Sequence, residues 1–137
     1  MNREQIRQAI VTLIEARRAQ WVGHPLVVEY EGQVVVDTQT QQHPFLCVKV
    51  IYISGEQVDM GINPNHRTWG QVHLAAVVKD GWGVAQANTL IDFFQPALHM
   101  RSTGGLRLWG ARPVKAVPHL GWHYHPILIP FDADTIP

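Results

Sequence analysis

Apolar residues recur along this chain at two periods, one helical and one extended. Over residues 2–18, Ile6, Ile10, Leu13 and Ile14 return at spacings of three and four, with Arg17 closing the stripe. Arg3, Arg7 and Gln8 occupy the opposite side. Asn2, followed three residues later by Gln5, has the pattern of a capping box. Gly23 and Pro25 stop this helix. A helix this short draws its stability from packing, so the stripe predicts a second layer. A second helical pattern spans residues 83–95, with Val84, Ala87, Ile91 and Phe94 on one stripe and Leu90 beside it. Pro96 is expected to end or kink it.

The remaining segments alternate with a period of two. Residues 26–30 form a short strand, and residues 33–37 continue or pair with it after a turn at Glu31-Gly32. Residues 38–44 are a polar loop. Residues 45–53 are the clearest strand, with Leu46, Val48, Val50 and Tyr52 on one face and Phe45, Cys47, Lys49, Ile51 and Ile53 on the other. Residues 67–79 form a long strand with Val72, Leu74, Ala76 and Val78 on an unbroken apolar face. Its other face is mixed: Trp69, Gln71, His73, Ala75 and Val77. Residues 54–65 join these two strands as a loop much longer than a tight turn. Residues 102–105 read as a flexible loop, 106–109 and 114–117 as strand pieces, and 122–131 as the last strand. Pro126 and Pro130 place that strand at an edge, or at positions whose N–H is not needed. The expected fold class is α+β: a mostly antiparallel sheet with two helices packed on one face. The helix stripes should cover the Val72/Leu74/Ala76/Val78 face.

At 137 residues the chain is expected to be one domain. Hydrophobic residues are 46% and charged residues 16%, which argues against disorder. Eleven Lys and Arg balance eleven Asp and Glu, so no overall basic surface exists for a phosphate backbone. No apolar run is long enough to span a bilayer, and the polar start lacks the apolar core of a signal peptide, so residence in the cytosol is expected. The single cysteine, Cys47, excludes an intrachain disulfide and a multi-cysteine zinc site.

Eight histidines are the compositional oddity. His123 and His125 share a strand face and would need a third ligand, from His119 or His73, to hold zinc or copper. No HExxH, CxxC or compact carboxylate–His group accompanies them. Cys47 lies inside an apolar strand, where cysteine usually acts as a small hydrophobe. Ser54 and Ser102 lack a nucleophile-elbow pattern. Glu29 and Glu31 share a strand face, an arrangement more often solvated than catalytic. The glycines at 104 and 105 lead into a strand, not a helix N-terminus, so no phosphate cradle forms. Arg101, Arg107, Arg112 and Lys115 are the only basic concentration near aromatic residues, and strand-end solvation accounts for them better than nucleic-acid binding. Accordingly no catalytic, cofactor or metal site is expected. Five tryptophans at 21, 69, 82, 109 and 122 divide between core packing and interface anchoring.

Four segments carry a wider likeness. They are His43-Pro44-Phe45-Leu46-Cys47-Val48-Lys49-Val50, then Arg67-Thr68-Trp69-Gly70-Gln71-Val72-His73-Leu74, the helix at 85–94, and the closing strand from Gly121-Trp122-His123-Tyr124-His125 to Phe131. With the N-terminal helix and their order, they resemble the phage tail terminators, minor tail proteins capping long non-contractile tails, and their prophage relatives. The likeness spans residues 1–137 as one tail-terminator-like domain. It implies a structural virion-assembly protein and not an enzyme. Such a protein forms a ring of its own copies, commonly six, on the end of the tail tube. The ring stops tube polymerisation and allows head joining. The implied partners are further copies of the chain, the tail tube protein and a head-completion protein, without nucleic acid or membrane. The implied location is the host cytoplasm during assembly and then the virion tail. Residues 31–42 depart from the family pattern, with a Gln- and Val-containing stretch where a short Pro-rich connection is expected. The interface candidates are Glu56, Val58, Asp59, Met60 and Ile62 in the long loop, together with Trp69, His73, His123 and His125. Alternative readings are another phage head–tail joining (neck) protein, or a small His-rich metal-dependent enzyme or ligand-binding module.

Overall fold

The N-terminal stripe forms α1, Arg3–Arg18, in a computed structural model that describes residues 1–33, 36, 37, 39–57 and 66–135. The capping box is present: the Asn2 side chain accepts from the Gln5 amide at 2.8 Å, and the Gln5 side chain accepts from the Asn2 amide at 2.8 Å. Ile6, Ile10 and Ile14 are fully buried. Arg17 and Arg18 in the last turn complement the helix dipole.

The second helix, α2, is Ala85–Leu98 and runs past Pro96 instead of stopping at residue 95. Pro96 cannot donate to the carbonyl of Asp92, yet burial of Ala97 and Leu98 holds the last turn, and His99 N–H still bonds Gln95 O at 2.8 Å. The buried stripe is Ala87, Leu90, Phe94 and Leu98, rotated from the expected one so that Val84 is exposed.

Eight strands make one sheet: β1 Val28–Tyr30, β2 Phe45–Gln57, β3 His66–Lys79, β4 Ser102–Thr103, β5 Leu106–Leu108, β6 Arg112–Pro113, β7 Val117–His119 and β8 Trp122–Thr135. The order is β1-β2-β3-β8-β5-β4, with β6 and β7 also lying along β8. Among the described residues only β1 on β2 is parallel. Val48 faces Leu74, which faces Ile127 in the next strand, and this register lines up one apolar face. Leu46, Val72, Ala76, Val78, Ile129 and Phe131 extend it beneath the two helices. The architecture is therefore α+β, a mostly antiparallel sheet with both helices on one face.

Three expectations change. Residues 54–57 continue β2 by pairing with 66–69 after an irregularity between Tyr52 and Ser54, so the connection begins later than expected. Residues 102 and 103 are not loop but the edge strand β4, joined to β5 by Gly104 at φ 56°. The pieces beyond Trp109 pair at 112–113 and 117–119 instead of 114–117, because Pro113 and Pro118 break the run into two short touches on β8.

The prolines of β8 do not place it at an edge; it lies between β3 and the short strands. In an antiparallel strand the N–H and C=O of one residue point the same way. The Pro126 carbonyl accepts from Val114 N–H at 3.1 Å and the Pro130 carbonyl from Trp109 N–H at 2.8 Å. The missing donors therefore face the short segments, and the ladder to β3 is left intact.

Candidate functional site: the uncovered sheet face

The period of two that buries Val48, Leu74 and Ile127 must turn Cys47, His73, Ala75 and Pro126 the other way. Among the described residues no helix covers that second face. At one end Phe45, Val77, Trp122 and Val36 form a separate apolar cluster. In the middle lies a hollow of about 690 Å³ whose lining includes Cys47, Lys49, His73, Ala75, Tyr124 and Pro126.

Burial pushes the Cys47 thiol up to about 12, with Glu29 adding to the effect, so it carries almost no thiolate at neutral pH. Burial likewise raises the Tyr124 hydroxyl, helped by the charges of Cys47 and Glu29. His73 is held below the ordinary imidazole value by burial and then by Lys49, against an opposing pull from Glu31. The hollow thus offers a neutral imidazole and a protonated thiol, with Glu29, Glu31 and Lys49 also in its lining.

Beyond the hollow, two acids and two bases interlock. Asp132 is 1% exposed and accepts from Arg107 Nε at 2.6 Å and Trp109 Nε1 at 2.7 Å. Asp134 accepts from Arg67 Nε at 3.3 Å and from both terminal nitrogens of Arg107, at 3.2 and 3.3 Å. The Arg107 hydrogen bond, reinforced by Arg67, holds the Asp134 carboxyl below the usual carboxylate range despite opposing desolvation. This group ties β3, β8 and β5 together across the face. Sequence reasoning missed it: acids two apart on a strand share a face, but their pairing with Arg67 and Arg107 depends on register.

Trp69 is half-buried on this face, with the Arg67 guanidinium 5.9 Å from its ring centre. His73 lies there too, between Lys49 and Leu128 in the register. His123 and His125 do share a face, as expected, but it is the helix side, opposite Val78 and Ala76. Their rings stack with centres 6.4 Å apart, and His123 Nε2 contacts the Asp80 carboxylate. Thus His73 is separated from that pair by the sheet itself, and His119 packs its ring on Tyr124 instead. Among the described residues no three His, Cys, Asp or Glu side chains gather as a metal site. Glu29 accepts from the Val36 amide at 3.1 Å. Glu56 sits in β2 in register with Arg67. The candidates Val58, Asp59, Met60 and Ile62 lie outside the described residues. Of the tryptophans, Trp122 is buried in the core as one of the two expectations had it, while Trp109 is 44% exposed.

The imidazoles predict a pH dependence. His125, like His73, is held low by burial, with His123 as a second cause. Between these lowered values and the ordinary value of about 6.5, the unfolded chain binds more protons, so stability rises with pH. Acidification through about pH 6.5 should therefore lower the urea midpoint, and the double variant His73→Gln/His125→Gln should flatten the profile. Asp134 acts in a separate window: its contribution is present above the ordinary carboxylate value of about 4 and lost below it. A wild-type midpoint independent of pH between about 5 and 7.5 would contradict the assignment of both imidazoles.

No family model matches the chain, and no curated protein matches it. Nine chains of known structure do match. One, a protein whose name states no function, aligns with all of this chain and 99% of its own, with a TM-score of 0.70 and 17% identity. At that identity the likeness is one of fold: this α+β arrangement is shared, end to end, by a protein of known structure.

Proposed function

We propose that the chain is a structural virion-assembly protein of the tail-terminator kind, forming a ring of its own copies on the end of a tail tube and ending the tube's growth. The observation that carries this reading is the uncovered face. A sheet buried on one side by two helices presents on the other a hollow of about 690 Å³ and the half-buried rings of Trp69, His73 and Tyr124. Contiguous apolar surface rimmed by polar groups is typical of association surfaces. The buried Asp132 group stiffens that face and leaves Trp109 exposed beside it, and tryptophan and arginine are enriched at subunit contacts. The sequence resemblance supplies the identity of the assembly. In that role the ring partners are further copies, the tail tube protein and a head-completion protein.

The test combines two measurements. The purified chain should sediment as a closed oligomer and show rings in negative stain. It should also restore tails of uniform length when supplied in trans to a phage lacking its terminator. Rings without tail control would favour the neck-protein reading. A monomer that leaves tail length uncontrolled would remove the proposal.

A further inference from the structure

The β7–β8 hairpin turns on Leu120 and Gly121, at φ 48° and 84°. Positive φ at both central positions defines a turn that favours Asn-Gly or Asp-Gly. A leucine there is an uncommon, strained choice. Its side chain is 87% exposed, so nothing within the chain offsets that cost. Val114 and Val117 of the same segment are also exposed, at 42% and 53%, with Val117 in the lining of the hollow. This segment lies along β8, with which β6 and β7 pair.

Charge separates the two lateral edges of the sheet. Residues 111–121 carry Arg112 and Lys115 and no acid. Neither base forms an ion pair among the described residues. At the other end of the strand order β1 carries Glu29, and the sequence that follows it carries Glu31 and Asp37, with no base over 28–37. Beside that acidic edge, between α1 and β2, lies a recess of about 120 Å³ with Ile10, Val11, Tyr30, Val50 and Tyr52 in its lining and both Arg7 and Glu31 bordering it.

From this juxtaposition we infer that the β6–β7 edge of one copy docks on the β1 edge of a second copy, with Leu120 entering the recess beside α1 and Arg112 and Lys115 facing Glu31 and Asp37. The inference rests on the self-assembly proposed above and assigns its contact. Both edges border the same hollow, but they lie at different ends of the strand order, and two different edges pairing between copies make a head-to-tail interface, the kind that closes into rings. Opposite charge sets register and direction, and the aliphatic anchor supplies desolvated contact.

Three variants of the full chain test it by sedimentation velocity. Leu120→Asn suits the turn better than leucine, so its thermal midpoint should match or exceed that of the wild type, while self-association weakens by about tenfold or more. Arg112→Glu/Lys115→Glu makes both edges acidic, and Glu31→Lys/Asp37→Lys makes the second edge basic. Each reversed variant alone should sediment as a monomer, and an equimolar mixture should reassemble as an alternating oligomer. If all three variants assemble like the wild type, the edge assignment is overturned while the ring reading stands. If the reversed variants fail to reassemble when mixed, the pairing of these two edges is overturned. Should the wild type associate with this mutational pattern but leave tail length uncontrolled, the contact holds and the proposed function falls. A wild type that never self-associates overturns both.

Discussion

Leu74→Ala is expected to lower folding stability by about 2–5 kcal/mol, the range for removing a buried aliphatic side chain and leaving a cavity. Leu74 sits at the centre of the sheet, between Val48 and Ile127 in the register, and is fully buried beneath the helices. Close packing around it leaves few ways for neighbours to fill the space. In a urea titration the midpoint should fall with an unchanged slope, because the surface exposed on unfolding stays nearly the same. Ile53→Ala is the control. That side chain is 60% exposed on the same sheet, and its truncation should cost no more than about 0.5 kcal/mol. Equal midpoints for the two variants would show that the inside and outside of the sheet have been exchanged.

Gly70→Ala is expected to destabilise by about 1–3 kcal/mol for a different reason, overpacking. Gly70 lies in β3 between Tyr52 and Phe131. A methyl group there would sit 2.5 Å from the Phe131 ring and closer still to the Ile51 carbonyl oxygen. The ring is fully buried, with Tyr52 packed edge-on against it at 6.2 Å, so it has little room to retreat. A glycine in a strand interior otherwise weakens the strand, so its presence marks this close approach. Combining Gly70→Ala with Phe131→Leu should cost less than the two changes separately, with a coupling of about 0.5–3 kcal/mol. Strict additivity would show that the ring is not what excludes the methyl group.

The contrast between these residues shows what periodicity carries. Leu74 was assignable to the core because alternation in a long strand leaves only two choices, and an unbroken run of Val, Leu, Ala and Val selects one. Gly70 was silent, because its role depends on a phenylalanine sixty-one residues later. Asp132 was silent for the same reason. A buried carboxylate looks like any other strand-end acid until β5 brings Arg107 and Trp109 to it. For the strand with two prolines the sequence left two choices, an edge or positions whose N–H is not needed, and the pairing realises the second, because composition counts missing donors but not the side they face. The His123/His125 pair was legible as sharing a face, since two residues apart on a strand always do, whereas its separation from His73 was not.

The sequence alone determined the α1 stripe, the presence of α2, the two long strands and their buried faces, and hence an α+β fold with helices on one side. These follow from short-range chemistry: side-chain period, caps, and the burial of whichever face is apolar. Only the tertiary structure decided that β8 lies inside the sheet, that its missing donors are harmless, and that Arg67, Arg107, Asp132 and Asp134 meet. It alone set an acidic β1 edge and a basic β6–β7 edge at different ends of the strand order. Each of these depends on which strands become neighbours and in what register, and register is a long-range choice that one segment's pattern does not contain.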